Sequence, residues 1–248
     1  MGKAFATAHQ RIAWAKQDIR DLKEKAREFF SSDIHKRIVE PDSDGYMVDK
    51  VRFTKRLPSN VTKSAVSAIE NLRAALDHTA CSVVPFCHKT KTAFPFGDSK
   101  GEFEGHLKSK GKHLPDEIKS LFRAFKPYQR GNPPLWALNK LCNTHKHRTI
   151  IEPGIDVKDV EFVSAPFASF LRYHRPKWDR RKNEIIISRT TGNGTSQHDV
   201  DLLLGIQFGK VQVFSGLEAL SSLRSLTSMV ERIVMATEAE AKRIGVTK

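Results

Sequence analysis

Cysteine, tryptophan and tyrosine are scarce in this 248-residue sequence, with three of each. Three cysteines over such a length make no disulfide framework, which excludes the small extracellular scaffolds that depend on one. No stretch of about 18 apolar residues occurs, so a membrane-spanning helix is excluded. The segment from Met1 to Arg11 holds no apolar core of the kind a secretory signal needs, and it already has a helical pattern. The expectation is a reduced, cytoplasmic protein with no membrane partner. A phosphate-cradling Gly-rich loop, a Gly-x-Ser-x-Gly elbow and an outstanding carboxylate pair are also missing. Acidic residues are the last deficit: 28 Asp and Glu face 42 Lys and Arg, a formal charge of +14. That surplus favours a polyanionic partner, and nucleic acid is the first candidate because phosphate contacts need only Lys and Arg.

Phenylalanine is plentiful, with 15 copies, and apolar residues make up 39% of the chain, enough for a globular core. Residues 4–30 read as one amphipathic helix, with Ile12, Ile19, Leu22, Ala26 and Phe29 on its apolar stripe. Residues 34–56 read as a β-hairpin turning at Asp42-Ser43-Asp44-Gly45. A second long helix is expected over about 60–84, with Ala65, Ile69, Leu72, Leu76, Thr79 and Val83 as its stripe and Pro85 as its stop. After a Phe/Pro-rich loop at 85–99, helices are expected near 100–109, 115–125 and 134–149. The period then changes to two. Val157 to Val163, Glu184 to Ile187, and Val200 to Phe208 with Val211 and Val213 read as strands, with a turn at Gly192-Asn193-Gly194. A last helix is expected from Ser215 to about 243, with Leu217, Leu220, Leu223, Met229, Ile233 and Met235 as its core. The fold class is α+β, mainly α. A helical bundle (4–30, 60–150, 215–243) would carry a β-hairpin near its N-terminus (34–56) and a β insertion (155–213) before the C-terminal helix, all in a single domain.

Two constellations carry residue types suited to chemistry. The first is Asn71-Leu72-Arg73-Ala74-Ala75-Leu76-Asp77-His78. With Leu72 at the centre of the buried stripe, Asn71 and His78 share one shoulder, and Arg73 and Asp77 share the other as an i,i+4 pair. Arg73 and His78 lie about 140° apart around the helix. Phosphodiester cleavage wants such residues. A histidine moves the protons of the ribose 2′-hydroxyl and leaving oxygen, an arginine holds the phosphate, and no metal is required. The same residues also suit a plain structural role, an Arg–Asp helix pair beside a partly buried histidine.

The second constellation is Asn139-Lys140-Leu141-Cys142-Asn143-Thr144-His145-Lys146-His147-Arg148. Leu135, Leu138, Cys142 and His145 share one face, and Asn139, Asn143 and Lys146 form a polar stripe beside it. Lys146, His147 and Arg148 suit the C-terminal end of a helix dipole and also suit phosphate. Further cationic clusters lie at Lys108, Lys110, Lys112 and His113, and at Arg172 to Lys182 among Tyr173, His174 and Trp178. Cys81, Cys87 and His88 with Cys142 and His145 do not have zinc-site spacing. The reading is of buried thiols, with no metal and no cofactor.

The Asn71–His78 run resembles the Asn-Leu-Arg-Ser-Ala-Leu-Asp-His helix of a group of bacterial proteins. In those proteins a Phe-Pro stretch, a Pro-Tyr turn and an Asn-x-x-Asp-Lys-His-Arg helix follow. The counterparts here are Phe94-Pro95-Phe96, Pro127-Tyr128 and Asn143 to Arg148, with His145 where that pattern has Asp. The group looks like the HEPN superfamily. That resemblance implies a helical bundle that dimerises and a metal-independent endoribonuclease acting as a toxin or anti-phage effector. Arg73 and His78 would form an Arg-x4-His catalytic pair at the dimer interface. Asn71, Asp77, Asn143, Lys146, His147 and Arg148 would support them. The expected partners are RNA, a second copy of the chain, and an antitoxin or defence protein. The alternative is a non-catalytic module of the same fold that binds nucleic acid or an acidic protein.

Overall fold

A computed structural model describes residues 3–147, 153–164, 177–179, 182–191, 199–208 and 219–247. The expected turn at Gly192-Asn193-Gly194, Val211, Val213, Leu217 and the 215–218 start of the last helix lie outside these residues. The described elements are α1 (Ala6–Phe30), β1 (His35–Pro41), β2 (Tyr46–Phe53), α2 (Ser59–Ser82), α3 (Lys100–Ser109), α4 (Asp116–Phe125), α5 (Pro133–His147), β3 (Pro153–Ser164), β4 (Lys177–Asp179), β5 (Glu184–Thr191), β6 (Asp199–Phe208) and α6 (Ala219–Arg243). A 3-10 turn, Phe86–Lys91, follows α2 inside the Phe/Pro-rich loop. The class is α+β and mainly α. Contacts divide the chain into two compact units, one comprising Met1–Lys25, Ser59–Pro153 and Gln207–Lys248, the other Ala26–Pro58 and Gly154–Ile206.

The first unit is built around α2, which packs against α5 and α6. Its helix runs without Gly or Pro, and Val61, Ala65, Ala68, Ile69, Leu72, Ala75, Leu76 and Ala80 are buried at helical spacing. Four of those are alanines, which let neighbouring helices approach closely. Val83 and Val84 are buried beyond the helix, and Pro85 keeps the chain from continuing it. Polar side chains tie α1 to α6: His9 Nε2 lies 2.7 Å from Glu238 Oε2, and Lys16 Nζ lies 2.8 Å from Glu231 Oε1. On α6 the stripe is Ala219, Leu223, Leu226, Val230, Ile233, Val234 and Ala241. Met235, expected in the core, is instead 58% exposed. It follows Val234 by one residue and is therefore turned about 100° off the stripe.

The segment between α2 and α3 is held by aromatic packing. The Phe94 ring lies 5.1 Å from that of Phe96 and 4.6 Å from that of Phe122 on α4, all three buried. Gly97 makes this approach possible, since a Cβ there would lie 2.3 Å from the Phe103 backbone nitrogen. Ser99 caps α3 by accepting the Glu102 N–H, and Glu102 reaches back to accept the Asp98 N–H.

In the second unit β1 and β2 form the expected antiparallel hairpin, His35 opposite Phe53 and Pro41 opposite Met47. Gly45 takes the positive φ of 79° in its turn, and Asp42 Oδ1 accepts the N–H groups of Asp44 and Tyr46. The sheet order is β1-β2-β5-β4, so the hairpin and the insertion share one sheet; β3 and β6 form a second, two-stranded sheet. Phe29, Ile34, Val51, Phe53, Ile185 and Ile187 make the core of this unit. A buried charge network crosses the larger sheet. Glu184 takes Lys50 Nζ at 3.1 Å and a hydrogen bond from Arg52 Nε at 2.6 Å.

Candidate functional site

The α2 stripe centred on Leu72 leaves a polar shoulder on each side, and the two are built differently. On one, Arg73 Nη1 lies 2.5 Å from Asp77 Oδ2, one turn along the same helix. Arg73 Nε donates to Asn139 Oδ1 of α5 at 3.0 Å, and the guanidinium carbon sits 4.5 Å from the centre of the Phe96 ring. The second Asp77 oxygen accepts the Phe94 N–H at 3.0 Å. The Arg73 side chain is only 15% exposed. Arg73 and Asp77 together therefore join α2, α5 and the 94–97 segment, with the guanidinium face covered by an aromatic ring.

The other shoulder faces α1. Asn71 Oδ1 accepts Arg11 Nη1 at 3.0 Å, and Asn71 Nδ2 donates to Asp18 Oδ2 at 2.9 Å. Ser67 Oγ donates to the same Asp18 oxygen at 2.8 Å. The Arg11 guanidinium rests over the Trp14 ring, 5.1 Å from its centre, and Trp14 itself is 48% exposed. An open groove of about 400 Å³ runs here between Arg11, Trp14, Gln17 and Asp18 of α1 and Ser67, Glu70 and Asn71 of α2.

His78 lies two turns along α2 from Asn71, half-buried, and its ring makes no hydrogen bond among the described residues. Burial lowers its pKa below the ordinary 6.5. The nearby Arg11 charge pushes the same way, and the Asp77 carboxylate opposes both. The imidazole is thus held toward its neutral form, within the field of a cation.

No bond or ion pair joins Arg73 to His78 among the described residues: Arg73 is engaged toward α5 and Phe96, whereas His78 feels Arg11 of α1. The sequence reading did not single out Arg11, Asp18, Ser67 or Trp14. Their signal is weak in a single sequence, because they fall among the ordinary polar residues of an amphipathic helix. Of the second constellation, Asn139 holds Arg73. Lys140 donates to Asp98 Oδ2 at 2.7 Å, beside a 2.8 Å bond from Trp136 Nε1 to Oδ1. The Lys140 bond first, and the Trp136 bond with it, hold Asp98 below the usual carboxylate range. Asn143 is exposed near the end of α5. Lys146 and His147 belong to that helix, with side chains beyond the description, and Arg148 lies outside the described residues. Most of the 172–182 cationic stretch lies outside them too. Among the described residues no group of three or more His, Cys, Asp or Glu could hold a metal ion, and no helix is long and apolar enough to cross a membrane.

No family model, curated protein or solved structure matches this chain. Its chemistry is therefore read from the arrangement itself. Arg11, Trp14 and His78 carry a cation, an exposed ring and an imidazole on this shoulder, beside the carboxylates of Asp18 and Glu70.

Proposed function

We propose that this chain is a HEPN-like, metal-independent endoribonuclease acting as a homodimer, with His78 as its proton-transfer residue. The observation that carries this is on the α1–α2 shoulder of α2: a half-buried imidazole without a hydrogen bond among the described residues lies in the field of Arg11, which has no carboxylate bonded to it among those residues. His78 would take the proton of the ribose 2′-hydroxyl. The 2′-oxygen would attack phosphorus, the bond to the 5′-oxygen would break, and a 2′,3′-cyclic phosphate would result. The leaving 5′-oxygen needs a second acid, which His78 of another protomer supplies. Phosphate binding, expected of Arg73, passes in this reading to Arg11, because Arg73 is ion-paired with Asp77, bonded through Nε to Asn139 and covered by Phe96. The net charge of +14 supports an RNA substrate. The HEPN resemblance adds the setting of a toxin or anti-phage effector restrained by an antitoxin or defence partner.

A second reading has one specific observation in its favour. The Arg73–Asp77–Asn139 tie is what a structural helix motif needs, and it fits a binding module without catalysis. One assay separates the two: a mixed RNA pool incubated with EDTA and wild-type protein or His78→Ala. Cleavage by the wild type alone, leaving 2′,3′-cyclic phosphate ends, is expected. Salt-sensitive binding by both with cleavage by neither selects the binding module.

A further inference from the structure

Away from the α1–α2 groove, the first unit carries a corner where aromatic rings and cations gather. The 3-10 turn Phe86–Lys91 forms one side and the connection between α3 and α4 forms the other. The His88 and His113 rings stack across it, 3.7 Å between centres and 3° from parallel. Phe86 is 87% exposed, the most exposed of the large apolar side chains described. A phenylalanine held in water forfeits the stabilisation that burial would give it. The turn nevertheless keeps it there by a firm set of bonds. Pro85 O accepts the His88 N–H at 3.0 Å, Lys89 O accepts the Thr92 N–H at 3.2 Å, and Thr92 Oγ1 donates to His88 O at 2.9 Å. In a 3-10 turn residues i and i+3 eclipse, which sets Lys89 Nζ 6.0 Å from the centre of the Phe86 ring.

Charge at this corner is mainly positive. Lys91, Lys112 and Lys119 all bear on His113, and only Lys119 has an ion-pair partner among the described residues, Asp116 at 3.0 Å. Lys91 and Lys112 are exposed. Like charges held together without a counter-charge favour an incoming anion. Flat rings beside them favour a ligand with its own π-faces. A folded acidic partner supplies the first and not the second, and a duplex hides its bases, whereas a single strand supplies both.

We infer that this corner is a docking platform for single-stranded nucleic acid, with a base stacking on Phe86 and backbone phosphates meeting Lys91 and Lys112. The inference rests on the RNA reading above and adds where the strand is held away from the α1–α2 shoulder. The test measures binding of a labelled oligodeoxythymidylate of about 12 nucleotides, which lacks the 2′-hydroxyl that cleavage needs, across a salt series. Wild type, Phe86→Ala, the double variant Lys91→Glu with Lys112→Glu, and His78→Ala are compared. Phe86→Ala is expected to weaken binding about tenfold. The double variant is expected to flatten the salt dependence by about two phosphate contacts. His78→Ala is expected to bind as wild type does. All substituted platform side chains are exposed, so the fold is retained.

Unchanged binding in the platform variants, with His78-dependent cleavage intact, overturns the platform and leaves the nuclease reading standing. Platform-dependent binding with no cleavage by any variant does the reverse. Poly-glutamate competing as well as the oligonucleotide, or duplex binding that survives Phe86→Ala, overturns the single-strand assignment.

Discussion

The two polar shoulders of α2 share a helix and a residue composition, yet they differ in how far their groups are used. On the Arg73 side the guanidinium meets a carboxylate, an amide oxygen and an aromatic face, and Asp77 uses its second oxygen on the Phe94 backbone. On the His78 side, Arg11 meets only the Asn71 amide oxygen and the Trp14 ring, and the imidazole has no hydrogen bond among the described residues. Groups engaged as Arg73 and Asp77 are stabilise a fold. In the proposed reading catalysis falls on the His78 shoulder and structure on the Arg73 shoulder.

The largest effect that would break this comparison is on rate. His78→Ala is expected to lower RNA cleavage about 10²- to 10⁴-fold, the usual contribution of a positioned acid–base group. Thermal stability should barely change, because the ring bonds to nothing described. Arg73→Ala is expected to do the opposite. It frees Asn139 and Asp77 beside a buried ring and costs about 2 kcal/mol, seen as a melting temperature lower by about 4–8 °C. Cleavage by the protein that remains folded should persist. If Arg73→Ala abolishes cleavage at unchanged stability, the shoulders are assigned the wrong way round. Arg11→Gln is the smaller, sharpening variant. About a tenfold rise in KM is expected, with the salt dependence of binding reduced by about one contact.

These assignments show what one sequence can carry. The α2 stripe was legible because Ile69, Leu72, Leu76 and Thr79 recur at helical spacing, and the Arg73–Asp77 pair follows from i,i+4 geometry alone. The hairpin was legible from alternation around Asp42–Gly45, and the strand nature of Glu184–Ile187 from its β-branched run. What stayed hidden lies far apart in the chain. Nothing local couples Val51 to Ile185 across β2 and β5, or Arg73 to Asn139. Such pairings depend on which faces meet after collapse, which periodicity does not encode. The Arg-x4-His spacing had the same weakness. It fixes two positions on a helix about 140° apart and leaves open what each side chain meets. Arg11 was hidden for the complementary reason: it acquires meaning only when α1 lies against Asn71. Met235 shows the margin of a wheel, where one residue of phase separates core from solvent.

The smallest expected effect is also the most specific, because it reads the field at His78 rather than the presence of a side chain. Burial first, and Arg11 second, hold the imidazole below its ordinary 6.5, against Asp77. A general base must be neutral, so the acidic limb of the kcat/KM profile is expected below pH 6.5. In Arg11→Gln one depressing charge is gone, and the limb should move up toward 6.5. Stability carries the same signature with a definite sign. With a folded pKa under the unfolded one, the unfolded chain takes up the proton first as pH falls. The contribution is therefore complete above about pH 6.5, declines as pH drops toward the folded pKa, and is constant beneath it. His113, lowered by burial and then by His88 and the surrounding lysines, acts in the same direction. Melting curves at pH 7.5 and 5.5 should show a modest loss for the wild type and a smaller one for His78→Gln, which cannot charge. A limb that stays put in Arg11→Gln would detach Arg11 from the site even if His78 remained essential, and the phosphate ligand would then have to come from a second protomer.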